Sequence, residues 1–316
     1  MTALSPGAPA PAIAIQGVRG SGRLTRYAVR FLALGYLLGL LALPVGLVFY
    51  RTFENGLAPV LSALQAPSFQ HAFWLTMTVT GIAVPINTVF GIVAALALVR
   101  ARFPGRGLLN GVIDLPFALS PVVIGLSLVL VYGNKGWFGP WLSANGIQVI
   151  FAVPGMVLAT VFVSLPFVVR EVIPVLREIG TDQEEAAYTL GASPMRTFWR
   201  VTLPAIRWGV IYGILLTTAR SLGEFGAVSI VSGRLSDKTE TMTLYVQQRF
   251  EEFDLVGAYT ASVVLALVPI GVLLGMNILQ SGRFHLRRSP PVLAVIPGLE
   301  AEAGEPPPSQ PAVKLE

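Results

Sequence analysis

The sequence contains no cysteine, which excludes a disulfide framework, a thiolate zinc site and a cysteine nucleophile. Histidine is almost as scarce: His71 and His285 are far apart along the chain and give no support to a histidine metal cluster. A G-x-x-x-x-G-K-[S/T] loop for gripping nucleotide phosphates is also absent. We therefore expect this chain to bind no metal or other cofactor itself and to hydrolyse no ATP.

Charged residues are scarce as well, at 12% of the 316 residues, whereas a soluble domain carries about 25%. A water-soluble protein of this size could not cover its surface with so few charges. Hydrophobic residues make up 53% of the chain and occur in runs too long for core helices or strands. These properties predict an all-α integral membrane protein.

About 20 apolar residues are needed to cross a bilayer as a helix. Six stretches meet this requirement: residues 29–50, 72–99, 107–132, 149–169, 208–231 and 255–279. The first follows several arginines, as a signal peptide would, but it exceeds the usual apolar length and no small-x-small cleavage site follows it. We therefore expect an uncleaved anchor and six transmembrane helices.

Lysine and arginine are distributed unevenly among the segments that flank the predicted spans. Sixteen of the 22 lie before the first span or at its amino-terminal edge, after the last, or in the second and fourth connecting segments. Five lie in the other connecting segments, and Arg220 falls within a span. Because basic residues favour the cytoplasmic side, both termini are expected in the cytoplasm of a bacterial inner membrane. The same asymmetry explains the net charge of +5 without a nucleic-acid partner.

Composition divides the chain into a membrane domain, residues 25–284, and two tails. Residues 1–24 are rich in Ala, Pro and Gly, and residues 285–316 are rich in Pro and Glu, so both are expected to be disordered cytoplasmic tails. Prolines inside the spans free backbone carbonyls that need other partners in lipid, which favours helices packed around a pathway. These prolines are Pro44, Pro85, Pro116, Pro121 and Pro269.

The connecting segment of residues 178–207 is long, charged and helical in character. Residues 178–187 contain helix formers and acidic residues, and Thr181 or Asp182 could cap a helix there. Gly191 then interrupts the helical pattern. A first helix followed by a glycine turn is therefore expected on the cytoplasmic face.

A second short helix is expected directly after this turn. Ser193-Pro194 is typical of a helix start with proline in the first turn. Residues 195–201 continue it in an amphipathic pattern, and Leu203-Pro204 is expected to end it. Such an arrangement fits either an interfacial helix resting on lipid headgroups or a docking element for a soluble partner.

Three motifs occur in this segment at fixed spacing: Glu185-Ala186-Ala187, Gly191, and Val201-Thr202-Leu203-Pro204. They resemble the EAA signature of ABC importer permeases, in which Ile stands in place of Val201. In that family the loop forms a coupling helix that sits in a groove of the ATP-binding subunit, which itself binds ATP and Mg. The resemblance implies that the ATPase-coupling residues are Glu185, Ala186, Ala187, Gly191, Ala192, Leu203 and Pro204.

Further motifs extend the resemblance from the first span to Gln280: residues 114–118, 120–123, 166–171 and 222–228. They are similar to the sulfate/thiosulfate permeases, most closely to the W-type subunit. The resemblance implies a MetI-like type I importer bundle. The Gly-Glu-Phe-Gly-Ala element at residues 223–227 also occurs in molybdate permeases and in the T-type sulfate permease, so molybdate or tungstate stays open as the cargo.

Arg220 and Glu224 are four residues apart in the fifth predicted span, which would place them on one face of one helix. Charges inside a membrane are expected to face the bundle interior. Arg220, with Ser221, is therefore a candidate for lining the path of a dianion, and Glu224 would orient Arg220 or stabilise a gate. A neutralising intrahelical pair without a transport role, or pairing of Glu224 with another subunit, is the alternative.

The resemblance also implies the partners: a T-type permease in a heterodimer, a dimeric ATPase, and a periplasmic sulfate-binding protein that docks on residues 232–254. The chain itself would be a non-catalytic transport subunit embedded in membrane lipid. Of the rival classes, an ion-coupled secondary transporter would need intramembrane acids, for which only Asp114 and Glu224 are candidates. An intramembrane enzyme would need a Ser–His pair, an aspartate pair or a metal-ligand motif, and the predicted spans contain none of these.

Overall fold

The computed structural model describes residues 23–281, with the side chains of residues 27–275. The predicted tails fall outside the described residues, except that Arg23 and Leu24 already belong to the first helix. The chain divides into two compact units, Met1–Leu267 and Val268–Glu316, and every contact given below lies within the first. Within the described residues the secondary structure is entirely helical.

The helices follow one another in the order α1 Arg23–Phe53, α2 Leu57–Gln65, α3 Pro67–Arg100, α4 Arg106–Ala118, α5 Pro121–Tyr132, α6 Gly139–Ala144, α7 Val153–Ile179, α8 Asp182–Thr189, α9 Pro194–Thr197, a π-helical turn Phe198–Thr202, α10 Leu203–Leu222, α11 Gly226–Val231, α12 Met242–Glu251 and α13 Leu255–Ser281. Within this part of the chain, five stretches are long and apolar enough to cross a membrane, and the pair α4–α5 brings the number to six if it forms one span. The predicted all-α membrane architecture is confirmed.

The third predicted span, residues 107–132, is not one helix. Its two halves, α4 and α5, meet at an angle of 113°. Leu119 and Ser120 between them have extended backbones, with ψ angles of 141° and 136°. Pro121 begins α5, and proline disfavours a helical conformation in the residue before it, so the chain must bend at Ser120.

The fifth predicted span is shorter at its carboxyl end than the sequence pattern indicated. Helix α10 ends at Leu222, with Gly223 as its C-cap, and the separate helix α11 begins at Gly226. Glu224 therefore lies outside the helix that carries Arg220, and the prediction of one continuous helix for both is wrong. The fourth span is longer than predicted and continues to Ile179.

Helices α3, α7 and α10 form the centre of the bundle and approach one another at glycines. A Cβ atom on Gly91 of α3 would lie 2.5 Å from the Val168 Cβ atom of α7. A Cβ atom on Gly213 of α10 would lie 2.8 Å from the Val168 Cα atom. Membrane helices gain little from hydrophobic exclusion between them, so such small residues allow the close van der Waals packing that holds the bundle together. This packing fixes the positions of the polar groups described next.

Candidate functional site

The α8–α9 segment presents most of the predicted coupling residues on its surface. Glu185 and Ala186 of α8 are exposed, and Ala187 is half-buried. Gly191 has a φ angle of 80° and donates its N–H to the Tyr188 carbonyl at 2.9 Å, which closes the turn after α8. A left-handed backbone of this kind favours glycine. The predicted helix–glycine turn is confirmed, but the Thr181 side chain makes no capping hydrogen bond.

The start of the second helix also follows the prediction. The Ser193 hydroxyl accepts the Arg196 N–H at 3.4 Å, and Pro194 is the first residue of α9. The prediction that this helix ends at Leu203-Pro204 is wrong, because α9, the π-helical turn and α10 form one continuous stretch, Pro194–Leu222. The Leu203 N–H donates to the Phe198 carbonyl five residues back. This wider turn makes room for the Pro204 ring, which would otherwise clash with a carbonyl of the preceding turn.

Exposed apolar side chains follow the EAA residues in the sequence. Leu190 is 88% exposed, and Met195 and Trp199 are more than half exposed. Leu203 is half-buried and Pro204 exposed in the first turn of α10, while Ala192 is half-buried beside Gly191. The segment therefore exposes a methionine and an aromatic side chain near the EAA residues in sequence, and these residue types are enriched in protein interfaces.

Arg220 and Glu224 form an ion pair, with 2.7 Å between Nη1 and Oε2, although α10 ends between them. The Glu224 side chain is 2% exposed and the Arg220 side chain 32% exposed. The other Glu224 oxygen accepts the N–H of Ala227 at 2.9 Å, in the first turn of α11. Thr243 donates its hydroxyl to the Glu224 backbone carbonyl at 2.8 Å. The buried carboxylate is thus fixed by α11 and holds the guanidinium at the boundary of the bundle.

Ser221, the third predicted path residue, is buried instead of facing an open cavity. Its hydroxyl lies 3.5 Å from that of Ser164 on α7. Asn87 of α3 donates its amide to the Ser164 hydroxyl at 2.8 Å and to the Val161 carbonyl at 3.1 Å. These contacts join the three central helices through Ser221 and through two polar groups, Asn87 and Ser164, that the sequence pattern did not single out.

A second ion pair joins α4 to α7. Arg170 donates from Nε to Asp114 at 2.9 Å, and its Nη2 contacts both the second Asp114 oxygen and Asn110. The two charged side chains are 35% and 39% exposed. Sequence analysis named both residues within longer motifs, and Asp114 also as an intramembrane acid, but it did not pair them. The available signal was that Asp114 lies within one predicted span and Arg170 directly follows another, with opposite charges.

The segment of residues 232–254, the docking segment that the resemblance implies, contains the helix α12. The Met242 N–H donates to the Thr76 hydroxyl of α3 at 2.8 Å, which anchors α12 to the bundle. Arg249 pairs with Glu252 at 3.0 Å and lies over the ring of Tyr245. Glu240 is buried, and this burial raises the pKa of its carboxyl, while the charge of Arg249 opposes the rise. No group of three metal-ligating side chains occurs in the described part of the chain.

Comparison with known proteins gives matches over most of the chain. The family described as "Binding-protein-dependent transport system inner membrane component" matches residues 87–281. The "Sulfate transport system permease protein CysW" of Synechocystis sp. is 52% identical over 260 residues, which cover 82% of this chain and 94% of that protein. The protein of the same name from Escherichia coli strain K12 is 47% identical over 241 residues, covering 76% and 83%.

Among solved structures, the chain is similar to one from the "Crystal structure of bacterial alginate ABC transporter in complex with alginate pentasaccharide-bound periplasmic protein". The TM-score is 0.68 at 18% identity, and the match covers 81% of this chain and 93% of that chain. At this identity the likeness concerns the fold alone. Together with the family match, it confirms the predicted MetI-like bundle.

Proposed function

We propose that this chain is the permease subunit of an ATP-driven sulfate importer, because it belongs to the family of binding-protein-dependent transport system inner membrane components. The observation that carries the proposal is the 52% identity to a sulfate permease over 94% of that protein's length. Thiosulfate, a dianion of similar shape, is the second expected cargo. The two relatives described above, at 52% and 47% identity, are named sulfate permeases. The molybdate, tungstate and secondary-transport alternatives are therefore not favoured.

The proposed path for the dianion runs past Arg220. A charge within the membrane is costly unless it faces a partner or an aqueous cavity. Because Glu224 is 2% exposed and Arg220 is 32% exposed, only the cationic member of the pair is accessible to an anion. Glu224 then acts by holding the guanidinium in place, and Ser221 supports it from within the bundle. The attraction of a partly neutralised arginine is weak enough for the anion to leave.

The proposed coupling surface consists of the EAA residues together with the exposed apolar side chains around them. Glu185, Ala186, Ala187, Gly191 and Ala192 would enter a groove of the ATP-binding subunit. Leu203 and Pro204, at the start of α10, would connect that contact to the bundle. ATP and Mg would be bound by the partner subunit, whose closure moves this segment and drives alternating access.

The proposed assembly contains a T-type permease, two ATP-binding subunits and a periplasmic sulfate-binding protein. The exposed side of residues 232–254 is the candidate docking surface for the binding protein. The complex would lie in the bacterial inner membrane with both termini of this chain, and the tails of residues 1–24 and 285–316, in the cytoplasm. Six helices within residues 25–284 would then contact lipid and the second permease, and no nucleic acid would take part.

Uptake of radiolabelled sulfate tests this proposal in a strain that lacks the chain and in the same strain complemented with it. We expect sulfate uptake to be lost in the first strain and restored in the second, with molybdate uptake equal in both. Unchanged sulfate uptake after removal of the chain, or restoration of molybdate uptake instead, would overturn the assignment.

A further inference from the structure

Two neighbouring glutamates in α8 differ in their exposure. Glu185, the EAA carboxylate, is exposed, whereas the Glu184 side chain is only 16% exposed. Glu184 Oε2 lies 3.0 Å from Nε of Arg100, the last residue of α3, whose side chain is 21% exposed. The sequence separation of 84 residues makes this a tertiary contact between the coupling segment and a central helix of the bundle.

The same pair is connected to two further elements. Thr202, in the π-helical turn, donates its hydroxyl to Glu184 Oε1 at 2.8 Å. Arg100 Nη2 donates to the carbonyl of Gly180, the C-cap of α7, at 2.5 Å. A single ion pair thus joins the ends of α3 and α7 to α8 and to the π-helical turn that precedes α10.

We propose that Arg100, Glu184 and Thr202 form a latch that transmits movement of the coupling segment to α3. The inference rests on the proposed function, because it assigns a route for force that an ATP-binding subunit would apply. A mostly buried pair is screened by solvent less than a surface pair and holds a more defined geometry. Helix α3 in turn packs against α7 at Gly91, where a Cβ atom would lie 2.5 Å from Val168. A displacement of α8 therefore reaches the centre of the bundle through rigid, contiguous contacts.

Arg100 and Glu184 are positioning residues in this scheme, since neither contacts the cargo or the nucleotide. Their removal should leave the docking surface intact, because Glu185, Ala186 and Gly191 all lie outside the latch. It should lower the efficiency with which hydrolysis drives transport. A purely structural role would instead reduce uptake and hydrolysis together.

The first test measures sulfate uptake and ATP hydrolysis in the same proteoliposomes containing the complete importer. For Glu184→Gln we expect the number of anions transported per ATP hydrolysed to fall at least roughly threefold, while hydrolysis stays within about twofold. Glu184→Asp keeps the carboxylate and should keep a higher ratio than Glu184→Gln. Glu54→Gln is the matched control, because it removes an exposed ion pair with Arg51 at 2.8 Å. An unchanged ratio in Glu184→Gln, or a parallel loss of uptake and hydrolysis that Glu184→Asp does not lessen, contradicts the latch.

A second measurement is independent of the cargo. Because the sequence has no cysteine, Ala101→Cys and Tyr188→Cys allow two spin labels to be placed at exposed positions beside α3 and on α8. Glu184→Gln should broaden the distribution of label–label distances in the purified protein, and Glu54→Gln should leave it unchanged. An equally narrow distribution with and without Glu184→Gln refutes the latch even if the importer carries another anion. Absence of sulfate transport by the unaltered importer would count against the cargo assignment and not against the latch.

Discussion

The carboxylate of Glu224 lies 2.7 Å from the guanidinium of Arg220, and its second oxygen accepts the Ala227 N–H at 2.9 Å. One acidic side chain thus connects the last turn of α10 to the first turn of α11 across a break in the helix. The carboxylate is buried, so in the proposed path it would act by orienting its partner. In this arrangement Arg220 exposes its positive charge, and Glu224 stabilises the break between α10 and α11. The sequence spacing alone does not distinguish these two functions.

Variants of this pair separate anion contact from folding. Arg220→Gln leaves a buried carboxylate without its counterion, which destabilises a protein strongly. Arg220→Gln/Glu224→Gln removes both charges, so assembly should recover. Sulfate uptake by the double variant should stay roughly tenfold or more below the unaltered chain, since a hydrogen bond to a charged group contributes about 1.5–3 kcal/mol. Thermal midpoint and uptake of the purified complex provide the two readouts.

Arg207→Gln is the matched control for that pair of variants, because Arg207 is an exposed arginine at the other end of α10. It should retain uptake close to that of the unaltered chain. Full uptake by the double variant would show that Arg220 does not contact the anion.

The pattern of apolar runs predicted the positions of the spans, because a helix needs about 20 apolar residues to cross a bilayer. It did not locate the bend at Ser120 or the end of α10 at Leu222, since the predicted spans, residues 107–132 and 208–231, run across both positions. Ser120-Pro121 and Gly223 were the local signals available. Contacts such as Arg170 with Asp114 could not be predicted, because they depend on which helix faces meet in the folded bundle.

The ion pair between Asp114 and Arg170 should stabilise the contact between α4 and α7. Asp114→Ala removes the acceptor of two guanidinium hydrogen bonds, and we expect a loss of about 1–3 kcal/mol in the free energy of unfolding. Asp114→Asn keeps an acceptor oxygen and should cost less. Thermal unfolding of the purified complex measures both, and equal midpoints for Asp114→Ala and the unaltered chain would contradict this role.

The close packing of α3 against α7 predicts that adding a methyl group at Gly91 lowers stability. Gly91→Ala would place a Cβ atom 2.5 Å from the Val168 Cβ atom, so the helices must separate. We expect a loss of about 1–3 kcal/mol in stability, as for other overpacked cores. Gly81→Ala, in the same helix with no atom within 4 Å of the added Cβ, is the matched control and should be neutral or stabilising. Thermal midpoints of the two purified variants should therefore differ, and equal midpoints would exclude tight packing at Gly91.

Substitutions at Gly191 distinguish backbone conformation from surface charge. Its φ angle is 80°, and no atom lies within 4 Å of an added Cβ, so the constraint is conformational. Asn tolerates the left-handed region, whereas a β-branched residue does not. Gly191→Asn should keep most sulfate uptake, and Gly191→Val should lose it.

Gly191→Asp has the same shape as Asn but adds a negative charge, so it should insert normally and uncouple transport from ATP hydrolysis. Equal uptake by the Asn and Asp variants would rule out a charge-sensitive contact there.

The buried carboxyl of Glu240 predicts a pH dependence of stability. Burial raises the pKa of this group above its ordinary value of 4.5, so the folded protein favours the neutral form. Below pH 4.5 the carboxyl is protonated in both the folded and unfolded states and has no effect; as the pH rises, ionisation stabilises only the unfolded state until the folded pKa is passed. Glu240→Gln should therefore raise the thermal midpoint at neutral pH, and this gain should shrink as the pH falls towards the ordinary pKa of the carboxyl.

Glu251→Gln is the matched control, because Glu251 is an exposed acid of the same segment. A lower thermal midpoint for Glu240→Gln at neutral pH, with a deficit that shrinks on acidification, would show instead that the ionised carboxylate stabilises the fold through Arg249.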